Sequence, residues 1–371
     1  MQVKEIITQL LSQAGISIGG PKPWDIQVYD ERFYSRVFQD QHLGLGETYM
    51  EGWWNCQSID ELISRILKSQ IENRLKITPK DIFYFFMHKL FNFQTRCKAT
   101  EVAHKHYNIG NSLYRSMLGE TMNYSCGYWK NASTLDEAQY NKMELICRKL
   151  DLKPGMKILD IGCGWGGLAK YAAEKYGVEV VGATISQPQK QFAEERCQGL
   201  PVQILLKDYR DLPKDVFDRV VSVGMFEHVG YKNYRFFMDV VSNRLTKEGI
   251  FLLHTIGGNI SYVRGDNWVN KYIFPNGMLP SISQIGKALE GYFVMEDWHN
   301  FGVDYDKTLM AWHKNFNGNW NNLENGDERF KKMWNYYLLS CAGGFRSRSI
   351  QLWQVLLTKN GLTEGFKGRN L

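Results

Sequence analysis

No apolar run in this sequence approaches the roughly 18 residues that a membrane-spanning helix needs; the longest, Ile82 to Met87, stops far short. The chain therefore reads as one that visits a bilayer, if it meets one, rather than crossing it. Cysteine is sparse and odd in number: Cys56, Cys97, Cys126, Cys147, Cys163, Cys197 and Cys341, with no CxxC pair. That suggests neither a disulfide framework nor a zinc site, and it fits a reducing cytosol with no metal expected. The opening MQVKEIITQLLSQAG is amphipathic and lacks the charged head, apolar run and cleavage site of a signal peptide. Excess charge of one sign is missing too. Forty-five basic residues against 39 acidic ones leave a net +6, which suits an anionic surface without demanding one. With no concentrated basic stripe and no nucleic-acid motif, nucleic acid is a poor partner.

What is present is enough apolar material for a large core, 44% hydrophobic and 14% aromatic residues in a chain of 371, a length that suggests two or three domains. Residues 1 to 95 read as a small, mostly helical domain punctuated by Gly19-Gly20-Pro21-Lys22-Pro23, Gly44-Leu45-Gly46 and Gly52-Trp53-Trp54. Residues 96 to 125, rich in His, Tyr, Asn and Gly, read as a linker and entry segment. The remainder, 126 to 371, changes character from about Leu152. Lys157 to Ile161, Val178 to Ala183, Val202 to Leu206, Phe217 to Val223, Ile250 to Thr255, Tyr292 to Trp298 and Gln351 to Lys359 all read as strands, most with helices between them. Such alternation predicts an α/β, mainly parallel, doubly wound sheet.

The most informative segment is Ile158-Leu159-Asp160-Ile161-Gly162-Cys163-Gly164-Trp165-Gly166-Gly167, a strand entering a glycine loop and then a helix. Glycines let the backbone turn sharply and approach a ligand closely. Gly162, Gly164 and Gly167 also satisfy the dinucleotide GxGxxG spacing, so the loop alone does not choose a cofactor. Two details do. A nicotinamide site wants an acid at the end of the second strand, and Val181-Gly182-Ala183-Thr184 holds none. Asp160, just before the loop, is placed to meet the ammonium end of S-adenosylmethionine. Downstream, Thr184-Ile185-Ser186-Gln187-Pro188-Gln189 offers hydroxyl and amide groups for a ribose, and Asp208-Tyr209-Arg210 offers a polar edge and an aromatic face for adenine. Thr184 or Ser186 as a plain helix cap explains part of the same pattern.

At this point the sequence resembles the cyclopropane fatty-acyl-phospholipid synthases, with the mycolic-acid cyclopropane synthases as cousins. The likeness runs from Leu43-Gly44-Leu45-Gly46-Glu47-Thr48-Tyr49-Met50-Glu51-Gly52-Trp53-Trp54 to Cys341-Ala342-Gly343-Gly344-Phe345-Arg346. The mycolic cousins look shorter and lack the amino-terminal part, so the phospholipid branch fits better. The resemblance implies a class I S-adenosylmethionine-dependent methyltransferase with a Rossmann-like sheet. It implies donor contacts at Tyr124, Ser125, Asp160, Gly162, Cys163, Gly164, Trp165, Gly166, Thr184, Gln189, Tyr209 and Arg210. It also implies a bicarbonate pocket formed by Cys126, Gly224, Glu227, His254, Ile256 and Tyr305, and an active-site role for Cys341.

The implied reaction adds a methylene across the double bond of an unsaturated phospholipid acyl chain. It needs aromatic faces for a carbocation, for which Tyr124, Tyr128, Trp129, Phe226 and Tyr305 are candidates, and it needs a base for the departing proton. A neutral thiol such as Cys341 is a weak base. Bicarbonate held by the Cys126 backbone, His254 and Tyr305, with Glu227 orienting His254 or the ion, is the favoured one. Eight basic residues against three acidic ones between Lys68 and Lys105, around the aromatic run Ile82 to Phe93, suggest peripheral contact with an anionic inner leaflet; a helix packed between domains accounts for the run equally well. A homodimer is expected. Two rival functions stay open: a small-molecule methyltransferase on the same fold, and a catalytically dead lipid-binding module.

Overall fold

The computed structural model describes residues 2–71, 92, 111–323 and 327–368. The basic, aromatic stretch read as a membrane contact lies outside them, apart from residues 68–71 and 92, as does the linker up to residue 110. No described helix is long and apolar enough to cross a membrane.

The amino-terminal part holds helices α1 (Val3–Gln13), α2 (Arg32–Met50, broken at Gln41) and α3 (Ile59–Ser69), with a two-stranded antiparallel ribbon of β1 (Gln27–Val28) and β2 (Trp54–Asn55). Helices α4 (Asn111–Leu118) and α5 (Leu135–Lys149) lead into the sheet. Helix α5 starts where Thr134 and Glu137 form a capping box and carries Arg148 and Lys149 in its last turn, which suits the helix dipole.

Seven strands follow in the order β5-β4-β3-β6-β7-β9-β8. They are β3 (Lys157–Ile161), β4 (Glu179–Thr184), β5 (Val202–Leu206), β6 (Phe217–Val223), β7 (Leu245–Gly258), β8 (Val294–Asn300) and β9 (Ile350–Thr358). Strands β3 to β7 pair in parallel, and β9 inserts antiparallel between β7 and β8. The helices are α6 (Gly167–Tyr176), α7 (Gln187–Arg196), α8 (Tyr234–Ser242), α9 (Asn267–Tyr272), α10 (Ile282–Leu289), α11 (Val303–Gly318) and α12 (Glu328–Arg346).

Burial on both faces explains the near-continuous apolar strands. Ile158 packs with Ile146, Leu150 and Leu168 on one side, while its neighbour Leu159 packs with Phe237, Val241 and Ile285 on the other. The expected doubly wound sheet is present. Its strand order reverses between β3 and β6, and the crevice beyond their carboxyl ends is where such sheets bind ligands.

The amino-terminal helices do not form a separate core. Leu11, Phe33, Tyr49 and Leu62 belong to one apolar cluster with Trp312, Phe316, Trp334 and Leu338 of α11 and α12. Close approach of α12 to α3 depends on Gly343, where a Cβ would come within 2.4 Å of the Asp60 carbonyl oxygen. Arg346 of α12 then grips Asp306 of α11 with two hydrogen bonds of 2.9 Å and reaches Asp60 of α3 with its remaining amino group.

Candidate active site

A cavity opens at the β3–β6 crevice. Its wall includes Tyr124, Ser125, Asp160, Gly162, Cys163, Gly164, Trp165, Thr184, Gln189, Tyr209, Arg210 and Gly224, residues from five separate stretches of sequence that the fold brings together. Gly162 and Gly164 take φ of +89° and +55°, values open mainly to glycine. A Cβ on Gly164 would meet nothing within 4 Å, so the loop leaves room for a ligand against bare backbone. Gly166 stands a step back from the cavity. With φ +76° it caps α6, and a Cβ there would come within 2.9 Å of Ala193 in α7.

Asp160 is almost fully buried, and burial pushes its carboxyl up to about 7 against the pull of Lys142. No hydrogen bond from the described residues reaches that carboxyl. Thr184 donates to the Gln189 side-chain oxygen at 2.7 Å, which fixes the carboxamide at the cavity wall. The Tyr209 phenol is buried, which pushes it up against the pull of Arg210, whose guanidinium lies over the ring at 4.8 Å.

Sequence reasoning missed Lys142. It projects from α5 into the cavity wall, 1% exposed, and donates to Ser125 Oγ at 2.8 Å and Gln139 Oε1 at 2.6 Å. Burial brings its ammonium down to about 7. Gln139 also donates to the Ser125 carbonyl oxygen at 2.9 Å. The next residues are held from α11. Thr308 Oγ1 accepts from Gly127 N at 3.1 Å and Trp129 Nε1 at 2.9 Å, and Asp304 accepts from Trp129 N at 2.8 Å. The 123–129 loop is thus clamped between α5 and α11. A lysine and a glutamine in mid-helix carry no sequence signal of this, because such residues usually face water.

Cys126, Glu227, His254, Ile256, Tyr305 and Cys341 do not line that cavity; Cys126 and Tyr305 belong to the apolar cluster shared with the amino-terminal helices, and Ile256 and Cys341 pack against it. Glu227 Oε1 accepts from the Ile256 N–H at 2.6 Å, while Oε2 is buried with no partner among the described residues. Burial raises this carboxyl to about 7. Tyr305 stacks on Phe345 with ring centres 4.6 Å apart and meets the edge of Trp312. Its phenol is pushed well up by burial and then by the nearby charges of Cys126, Tyr124, Glu227 and Cys341. Burial holds His254 well below the ordinary imidazole value, and Lys142, Lys149 and His299 push the same way. Glu227 does not orient this ring. Its Nδ1 lies 3.3 Å from Gln354 Nε2 instead, because His254 sits directly opposite Gln354 on β9.

The Cys341 thiol is pushed up to about 12, chiefly by burial, and the Cys126 thiol well up for the same reason. Both are neutral thiols near pH 7, unsuited to taking a proton. Of the aromatic candidates, Tyr124 lines the cavity with its hydroxyl 2.9 Å from that of Tyr337. Phe226 does not face the cavity. It stacks on Tyr234 at 4.3 Å on the opposite side of the sheet, where the apolar face of α8 claims it.

Residues 94–355 match the family profile described as mycolic acid cyclopropane synthetase. The chain is 55% identical over 361 residues to the cyclopropane-fatty-acyl-phospholipid synthase of Escherichia coli K12, covering 96% of this chain and 94% of that one. Among solved structures it is similar to the cyclopropane synthase MmaA2 from Mycobacterium tuberculosis, with a TM-score of 0.66 at 29% identity, covering 70% of this chain and 98% of that chain. It is similar also to the mycolic acid cyclopropane synthase CmaA1 complexed with SAH and CTAB, with a TM-score of 0.65 at 31% identity, covering 70% and 98%. With its glycine loop, its buried acid at the end of β3, its match to the family profile over residues 94–355 and its likeness to the Escherichia coli synthase along nearly its whole length, the chain belongs to the cyclopropane synthetase family of S-adenosylmethionine-dependent methyltransferases.

Proposed function

We propose that the chain is a cyclopropane-fatty-acyl-phospholipid synthase, which moves a methylene from S-adenosylmethionine onto the cis double bond of an unsaturated phospholipid acyl chain and releases S-adenosylhomocysteine and a proton. The observation that carries this is the 55% identity that spans the amino-terminal helices as well as the donor cavity. The shorter mycolic synthases cover 70% of the chain.

The residues at the cavity fit the donor. Asp160, ionised, would take the donor's ammonium by charge-assisted hydrogen bonds. Lys142, so close to Asp160 in charge, would stand by the donor's carboxylate. The Gly162–Gly164 backbone makes room for its methionine portion, and Gln189, Tyr209 and Arg210 form the far wall for its nucleoside. When bound, the donor supplies a methyl group on a positive sulfur. The 123–129 loop, gripped by Lys142, Gln139, Thr308 and Asp304, holds Tyr124 and Ser125 rigid, and rigidity of this kind lets proximity lower the barrier. Tyr124, at the cavity wall, would turn aromatic surface toward charge that develops on the acyl chain. Dry surroundings there would also keep water from intercepting it.

Proton removal from the new methyl then closes the ring. Two buried polar atoms outside the cavity lining, Glu227 Oε2 and His254 Nε2, have no partner among the described residues, and a site with such a donor and acceptor set suits a small oxyanion with a hydroxyl of its own. Bicarbonate fits: His254, Tyr305 and the Cys126 backbone would donate to it, and Glu227 would receive its hydroxyl. When bound it supplies the base that the neutral thiols of Cys126 and Cys341 do not. Action at the cytoplasmic face of the membrane, through peripheral contact, and assembly as a homodimer complete the reading.

The test is mass spectrometry of phospholipids from cells expressing the protein. Monounsaturated acyl chains should gain one CH2 and lose their double bond. A product that gains CH2 but keeps its double bond, or methylation of small amines alone, would overturn the proposal.

A further inference from the structure

Gln354 on β9 is the register partner of two histidines at once, His254 on β7 and His299 on β8. The three side chains therefore form one row across the sheet, on the face covered by α5. From that helix Lys149, 1% exposed, reaches Asp297 at 3.2 Å and His299 Nδ1 at 3.1 Å. Gln354 and His254 are both fully enclosed. None of these groups lines the donor cavity, so donor binding does not account for them.

A buried neutral imidazole carries one proton, and the group bonded to one ring nitrogen decides what the other can do. Gln354 turns its amide nitrogen, a donor, toward His254 Nδ1 at 3.3 Å. Nδ1 must then accept, and the ring proton sits on Nε2. The reverse arrangement, with the amide oxygen at Nδ1, would leave Nε2 with a bare lone pair facing a site that takes an anion. Lone pair against oxyanion is repulsive; N–H against oxyanion is not.

We propose that Gln354 is a positioning residue that fixes His254 as its Nε2–H tautomer, so that His254 donates to the bound oxyanion and is barred from taking the reaction's proton at that nitrogen. This rests on the reading of His254 as an anion ligand. It assigns a division of labour: His254 holds, the anion accepts the proton, and Gln354 keeps the two roles from being exchanged.

The test is a long-range proton–nitrogen correlation spectrum of the full chain labelled with 15N-histidine, with His254 assigned by its loss in His254→Asn. The native protein should show a protonated Nε2 and a bare Nδ1 from pH 6 to 8. Gln354→Glu places a carboxylate acceptor at Nδ1 and should move the proton there. Removing one preorganised donor to an anion costs about 10²–10³-fold in turnover, so this variant should fall by about that factor at low bicarbonate with its affinity for the methyl donor unchanged. Native His254 protonated on Nδ1 overturns the assignment of Gln354 whatever the rates, and that spectrum decides the matter even if Gln354→Glu does not fold. Native His254 protonated on Nε2 with turnover independent of bicarbonate overturns instead the anion reading beneath it.

Discussion

Lowering the pH from 7.0 to 6.0 should weaken binding of the methyl donor by up to about fivefold, because Asp160 must be ionised to pair with the donor's ammonium. Burial sets the Asp160 carboxyl at about 7. The acid form is the uncharged one, so lowering the pH removes the charge that the donor needs. With that midpoint, about half of the sites are ionised at pH 7.0 and about one in eleven at pH 6.0, a ratio near five that steepens toward tenfold per unit below pH 6. Lys142, brought down to about 7 by burial, gains its proton over the same interval, which favours the donor's carboxylate and the ionised form of Asp160, so it blunts the fall and makes fivefold the upper limit. The donor's own amino group titrates near 7.7–8.0 and stays protonated throughout this window. Asp160→Asn keeps the shape and removes the charge. The loss of one charged hydrogen-bond partner, roughly 1.5–3 kcal/mol, should cost roughly ten- to a hundredfold in affinity and flatten the pH dependence. Calorimetric titration of native protein and variant at four pH values measures both. A flat native profile, or an Asp160→Asn profile with the native slope, would refute the reasoning.

Three further outcomes follow from the geometry. Cys341→Ser should keep turnover on phospholipid vesicles within about tenfold, whereas Glu227→Gln and His254→Ala should each lose about a hundredfold or more; a folded but dead Cys341→Ser enzyme would reinstate the thiol as base. Lys149 and Asp297 are a buried ion pair, 1% and 2% exposed in their side chains, so Lys149→Met or Asp297→Asn alone should cost about 3–5 kcal/mol in urea unfolding, with much of that recovered when both are made apolar. Gly343→Ala forces a Cβ against the Asp60 carbonyl and should destabilise by about 1–3 kcal/mol through overpacking, yet leave donor affinity unchanged, since α12 contributes nothing to the cavity wall; a loss of affinity beyond threefold would contradict this.

The sheet was legible because its strands are apolar on both faces and bounded by glycines and turns. The expected start and end of strands β3, β5 and β6 coincide with those observed. Strand direction at the far edge was not legible, since an apolar run reads the same in an antiparallel β9 as in a parallel one. That pairing is also why β7 runs on to Gly258, past the expected end at Thr255. The glycine loop announced its cavity because glycine geometry is local. Lys142, Lys149 and Gln354 did not announce theirs. Each is a polar residue whose burial depends on partners from elsewhere in the chain, a hundred residues distant for Gln354 and His254. Phe226 was misread for the same reason, as one residue's difference in a short helical turn sends a ring to either face. The unity of the core was hidden too, because nothing in the first 70 residues says that their apolar faces are completed by α11 and α12.

Arg346 gives that shared core a mechanical meaning. Its guanidinium bolts α12 to Asp306, the residue after Tyr305, and to Asp60 in the amino-terminal helices. Together with the shared apolar cluster, it joins α3, α11 and α12 into one packed block among the described residues, and Tyr305 lies within that block. A load on the amino-terminal helices would therefore bear on the packing around Tyr305 through the whole apolar cluster as well as through Arg346.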